Sequence, residues 1–118
     1  MKVLSWNCQG LGTALIVRNL NDEIRKNNPS IIFLMETKIK LARIRKIRSK
    51  CGFIHDLYVE PKGLAGGLAL WWHGGISLSV LYKSKNSIHT IIESASLKVP
   101  KYATFVYELP KERERRVV

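Results

Sequence analysis

The run IIFLM, residues 31–35, most limits how this chain can fold. Side chains alternate between the two faces of a strand, so a strand that is apolar at every position needs cover on both sides. Ser30 and Glu36 bound the run with polar residues, which marks it as a strand in the middle of a sheet. Upstream, KVLSW (2–6) is a short β-prone stretch ended by Gly10 and Gly12. Between the two lies ALIVRNLNDEIRKN (14–27). It puts Val17, Leu20 and Ile24 on one helical face, leaves Arg18, Asp22 and Arg25 off it, and is stopped by Pro29. Strand, helix, strand favours a parallel pair joined by a right-handed crossover, so the chain reads as α/β.

LARIRKIRSKC (41–51) repeats the helical pattern with Leu41, Ile44, Ile47 and Cys51 on one arc and Gly52 as its cap. Beyond it the character changes to the strand-like runs DLYVE, GLALWW, ISLSVLYK, SIHTIIE and YATFVYEL, several alternating with period two, as at Ile76, Leu78, Val80 and Tyr82. The links EPKGLAGG, HGG and KSKN are turn chemistry, and an antiparallel meander extending the first sheet is expected. Trp71 and Trp72, if borne on a strand, point to opposite faces, and both read as core. The closing KERERRVV reads as the start of a helix.

With 118 residues the chain makes one domain at most. Twenty Lys and Arg against 9 Asp and Glu give a net charge of +11, which points to a polyanionic partner, nucleic acid before an anionic membrane surface. Two cysteines, Cys8 and Cys51, are too few for a disulfide scaffold and fit a reducing compartment. No apolar run reaches the roughly 20 residues a membrane helix needs, and the start does not resemble a signal peptide, so a soluble intracellular protein is expected.

Two polar residues stand where ligands of open α/β sheets bind, at the carboxyl ends of strands: Glu36 directly after IIFLM, and Asn7 at the end of the first strand. A carboxylate beside a neutral amide suits a hard cation with a phosphate. Mg²⁺ takes one or two carboxylates plus water and phosphate oxygens, and the amide does not repel the phosphate. GLAGGLAL lacks the Lys-Ser/Thr of a phosphate-binding P-loop and reads as a turn into a strand. The cations Lys38, Lys40, Arg43, Arg45, Lys46, Arg48 and Lys50 have no acid among them. They read either as a solvated helix face or as a phosphate-backbone contact without sequence preference.

MKVLSWNCQGLG, then NPSIIFLMETK, then GLAGGLALWW and finally VYELP together resemble, in order and spacing and over nearly the whole chain, the N-terminal part of the endonuclease/exonuclease/phosphatase superfamily. Within it, the endonuclease domain of plant non-LTR (LINE-type) retroelements is the most similar. The resemblance implies the N-terminal half of a four-layer α/β sandwich, a mixed β-sheet flanked by helices, forming one truncated domain over residues 1–118. It implies Mg²⁺-dependent hydrolysis of DNA phosphodiesters, with Asn7 orienting the site, Glu36 holding the metal and Tyr107 contacting the scissile phosphate. It also implies a nuclear location, DNA as partner, and a missing C-terminal half or reverse transcriptase region in a longer product, while the lack of a long apolar run leads us to expect no membrane partner.

The family's Asp-x-Asn and Asp-His motifs are absent. The aspartates are Asp22 and Asp56, and neither has Asn two residues on. His55-Asp56 has the pair reversed and too early, which reads as structural, as do His73 and His89. Glu108 replaces the Gly that usually follows the Tyr, so the turn aiming Tyr107 is expected to differ. One of the two sheets is expected to be mostly missing, leaving an apolar face uncovered. Three readings follow: an endonuclease fragment inactive alone, a non-catalytic basic nucleic-acid-binding module, and a phosphatase or phosphodiesterase acting on a small or lipid substrate.

Overall fold

A computed structural model describes residues 1–61 and 66–108. The KERERRVV segment and part of the EPKGLAGG link lie outside the described residues. The chain runs β1 (Val3–Asn7), α1 (Ala14–Asn27), β2 (Ile31–Met35), α2 (Leu41–Lys50), β3 (His55–Val59), β4 (Leu68–Trp72), β5 (Ile76–Lys83), β6 (Ser87–Ser94) and β7 (Lys101–Val106).

Local chemistry sets the helix ends. Thr13 Oγ1 accepts a hydrogen bond from the Ile16 N–H at 3.2 Å, satisfying one free donor of the first turn of α1. At the other end Asn28 takes a left-handed conformation, φ 47°, and its N–H donates to Ile24 O. Pro29 then cannot continue the helix. α2 lacks a side-chain cap at Lys40 and closes through Cys51 onto Gly52, at φ +88°.

Four strands form the first sheet in the order β1-β2-β4-β3. β1 and β2 are parallel, with Val3 opposite Ile31 and Asn7 opposite Met35. β4 lies antiparallel between β2 and β3. The remaining strands make a separate antiparallel sheet, β5-β6-β7, with a bulge between Val80 and Tyr82. The expected meander therefore divides: β3 and β4 do extend the first sheet as antiparallel strands, while β5, β6 and β7 leave it for a sheet of their own. β4 already has a neighbour on each edge, so β5, which follows it directly, finds no free edge there and turns over the face of the sheet instead.

The result is a helical layer, a sheet and a second sheet. Ile31 and Phe33 of β2, with Leu68, Leu70 and Trp72, face the second sheet and pack on Ile76, Ile88, Ile92 and Phe105. Ile32 and Leu34, with Ala69 and Trp71, face the helices and meet Leu20, Ile44, Ile47 and Phe53. Trp71 and Trp72 thus occupy opposite cores, and both are buried. The second sheet is not mostly missing, because its three strands cover the centre of the first. Cover thins at β1, where Val3 faces the same way as Ile31 yet stays 48% exposed. Among the described residues no helix is long and apolar enough to cross a membrane.

The Phe33 and Phe105 rings meet 5.4 Å apart between the sheets. Phe33→Ala should lower unfolding stability by about 3–5 kcal/mol in urea melts. Tyr102→Ala, on the solvent side of the second sheet, should change it by no more than about 0.5 kcal/mol.

Candidate active site

Parallel pairing of β1 and β2 brings their carboxyl ends to one edge of the sheet, and the backbone continues the match past both strands. Cys8 N–H donates to Met35 O at 2.9 Å, Gly10 N–H to Glu36 O at 2.8 Å and Leu11 N–H to Thr37 O at 2.9 Å. From the other side, Lys38 N–H donates to Gly66 O at 2.8 Å and Thr37 N–H to Gly67 O at 3.3 Å. The segment that carries Glu36 is therefore held between two loops.

Three non-glycine residues here adopt left-handed backbone: Gln9 at φ 50°, Glu36 at φ 56° and Lys38 at φ 55°. Each such residue costs about 1–3 kcal/mol and persists only where its surroundings over-determine it. Gly67, at φ +97°, shows how tight those surroundings are, since a Cβ there would stand 2.7 Å from Thr37 Oγ1. That hydroxyl is buried without a hydrogen-bond partner among the described residues. Gly66 and Gly67 are thus more than turn residues: they let one backbone lie against another. Two adjacent glycines before a buried strand were the available signal.

The side chains converge on the carboxylate. Asn7 Nδ2 donates to Glu36 Oε2 at 2.9 Å, while Asn7 Oδ1 accepts from the Gln9 N–H at 3.1 Å, which fixes which way the amide points. Tyr107 O–H donates to the same Oε2 at 2.5 Å. The Tyr107 ring is buried in the core between the sheets, and its N–H donates to Asn86 O at 2.8 Å. The second sheet therefore delivers the phenol from 71 residues away in sequence, with Glu108 following it. Lys38 Nζ approaches the other carboxylate oxygen, Oε1, at 3.4 Å.

The Glu36 side chain is only 12% exposed, yet its pKa is lowered. The Tyr107 hydrogen bond is the largest cause, and with Asn7 and Lys38 it outweighs the burial that would raise it. Its neighbour Cys8 is shifted the opposite way, up to about 12, by burial first and then by the Glu36 charge. Cys8 is an inert core thiol.

The seven basic residues do not form one surface. Lys38 sits at Glu36, and Lys40 precedes the first turn of α2. Arg45 and Arg48 turn to Asp56, each 3.4 Å from Oδ2. The Arg48 contact is an ion pair without hydrogen-bond alignment at Nε, and Arg48 also donates to Phe53 O at 2.7 Å. Arg43 donates to Gly12 O. Arg43, Lys46 and Lys50 line a groove beside α1. The histidines make packing contacts: His55 stacks on Trp72, His73 on Phe53, and His89 hydrogen-bonds Thr104.

Among the described residues no three His, Cys, Asp or Glu side chains gather into a metal cage. Mg²⁺ does not need one, because it is held by one or two carboxylates with water and substrate phosphate. The donor set fits that pattern. Two hydrogen bonds occupy Oε2, and Oε1 already faces a cation, the Lys38 ammonium.

Tyr107→Phe should raise the Glu36 pKa towards the ordinary carboxylate range, and by more than Asn7→Ala does, as read by carboxyl-carbon NMR titration. An unchanged titration in Tyr107→Phe would contradict the geometry. At pH 8 a thiol with a pKa of about 12 is ionised to roughly one part in ten thousand. Cys8 should therefore react with a thiol reagent only as the chain unfolds, which peptide mapping would detect.

No protein-family model matches the sequence. Over 67 residues, 56% of this chain and 18% of the relative, it is 33% identical to a DNA-(apurinic or apyrimidinic site) endonuclease of Dictyostelium discoideum. Its fold is similar to the crystal structure of the AP endonuclease LMAP from Leishmania major, with a TM-score of 0.58 and 14% identity, over 96% of this chain and 43% of that one. The chain has a two-sheet α/β fold similar to that of an AP endonuclease, and spans less than half the length of either relative.

Proposed function

We propose that this chain carries the metal-binding corner of a Mg²⁺-dependent DNA endonuclease of the AP-endonuclease type, in a retroelement-like version, as one truncated domain that does not cleave DNA alone. The observation that carries this reading is the convergence of Asn7 and Tyr107 on one oxygen of Glu36, which leaves the other oxygen for a cation. The likeness in fold and the 67-residue similarity support the reaction class, and the wording of SWNCQGLG supports the retroelement origin.

In this reading Glu36 Oε1 would hold Mg²⁺. When bound, that ion supplies Lewis-acid polarisation of a phosphoryl oxygen. Asn7 fixes the carboxylate's orientation through Oε2, and the lowered pKa keeps it ionised at neutral pH. Tyr107 offers its hydroxyl proton at the same corner, where a phosphate oxygen would compete with Oε2 for it. The chain has neither an Asp-x-Asn nor an Asp-His motif, so the water-activating base is the missing part. The net charge of +11 favours DNA as partner. Action on chromosomal DNA would place the full protein in the nucleus.

Mg²⁺ should raise the unfolding midpoint of the wild-type chain and leave that of Glu36→Ala unmoved. Supercoiled plasmid should be retained in gels, less so as salt rises, without being nicked. Mg²⁺-dependent nicking lost in Glu36→Ala would keep the endonuclease and overturn the inactivity. Plasmid retention with no Mg²⁺ response in either protein would favour the non-catalytic basic module instead.

A further inference from the structure

The two carboxylate oxygens of Glu36 are held on different terms. Oε2 accepts from Asn7 Nδ2 at 2.9 Å and from the Tyr107 O–H at 2.5 Å, whereas Oε1 faces the Lys38 ammonium at 3.4 Å. The link between β2 and α2 places that ammonium. Lys38 has left-handed backbone, φ 55°, and its N–H donates to Gly66 O at 2.8 Å. Its stem runs along Gly66, where an added Cβ would stand 3.1 Å from both Lys38 Cγ and Cε. The chain thus brings its own cation to the oxygen that a metal would need.

The contact is nevertheless loose. At 3.4 Å it is longer than the roughly 2.7–2.9 Å of a charge-assisted hydrogen bond. The Lys38 side chain is 54% exposed, and an exposed ion pair of this kind shifts an equilibrium by about fivefold at most. Lys38 also lines a groove of about 480 Å³ together with Lys40, Tyr58 and Glu60, which gives its side chain room to move.

We propose that Lys38 is a tethered counter-ion: its ammonium holds Glu36 Oε1 and leaves that oxygen as Mg²⁺ binds. This rests on the reading of Oε1 as the Mg²⁺ position. Mg²⁺ lies about 2.0–2.1 Å from a carboxylate oxygen that it binds, so an ammonium kept in place would stand beside the ion and repel it. Lys38 therefore neutralises a little-exposed carboxylate on strained backbone, and lowers the affinity of the site for metal by a few fold. Its part is that of a positioning residue, acting through Glu36.

The test is Mg²⁺ titration by isothermal calorimetry, at one ionic strength, of the wild-type chain, Lys38→Gln, Lys38→Arg and Lys40→Gln. Lys38→Gln should bind Mg²⁺ at least about threefold more tightly than wild type. Lys38→Arg keeps a cation at Oε1 and should show no such gain. Lys40→Gln removes the same charge from a side chain that makes no capping hydrogen bond, and should show none either. In the unaltered chain, Mg²⁺ should shift the Lys38 Cε and Nζ NMR signals, and in Glu36→Ala it should not. An equal gain in Lys40→Gln would reduce the effect to net charge and overturn the proposal. Lys38 signals that stay in place would overturn it too. Mg²⁺ bound by wild type and no more tightly by Lys38→Gln would overturn it while leaving the Mg²⁺ reading intact. No Mg²⁺ binding by any of the four proteins would overturn that reading and the proposal with it.

Discussion

β2 is covered on both faces, and most of the molecule is arranged by that requirement. Phe33 and Leu34 are neighbours in the chain but enter different cores, one against Phe105 of the second sheet and the other against the helical layer. β4 repeats the arrangement with Trp71 and Trp72. Two strands that are apolar throughout cannot stand at an edge or face solvent. They take the centre of the first sheet and call for a layer on each side. The helices supply one layer from local amphipathicity, and the second sheet supplies the other through strands that are apolar on one face only.

The site depends on that layering. Asn7 and Glu36 meet because β1 and β2 are parallel and in register, so their ends coincide. Tyr107 reaches them because the second sheet folds over the first and carries its last strand to the same end. The backbone between these residues is held out of its preferred conformations at Gln9, Glu36 and Lys38. Hydrogen bonds from the Cys8–Leu11 loop and from Gly66 and Gly67 hold it there. A carboxylate presented in this way is ionised, oriented and little exposed, which is what a cation site needs from a single ligand.

Helix α2 shows how one basic run serves several purposes. Successive residues of a helix point about 100° apart, so cations adjacent in sequence separate in space. Arg45 and Arg48 turn to Asp56 and tie the helix to β3. Arg43, Lys46 and Lys50 turn the other way, toward α1. Asp56, which follows a histidine and could be mistaken for half of a catalytic pair, is a structural anchor.

Periodicity and punctuation make the elements legible in the sequence itself. Both helices, the apolar central strand and the alternating β5 appear at their observed places, because each depends on residues within a few positions of itself. Asn7 and Glu36 are legible for the same reason, standing at strand ends, while Tyr107 stands out only by resemblance to a family pattern. Tertiary structure alone decided which sheet the later strands join, because that depended on whether β4 had a free edge. It alone decided the close approach of Gly66 and Gly67 to the Glu36 segment, the partition of the α2 cations and the meeting of Tyr107 with Glu36. Those outcomes are contacts between residues distant along the chain. Local sequence determines what each segment prefers, and long-range packing determines which preferences meet.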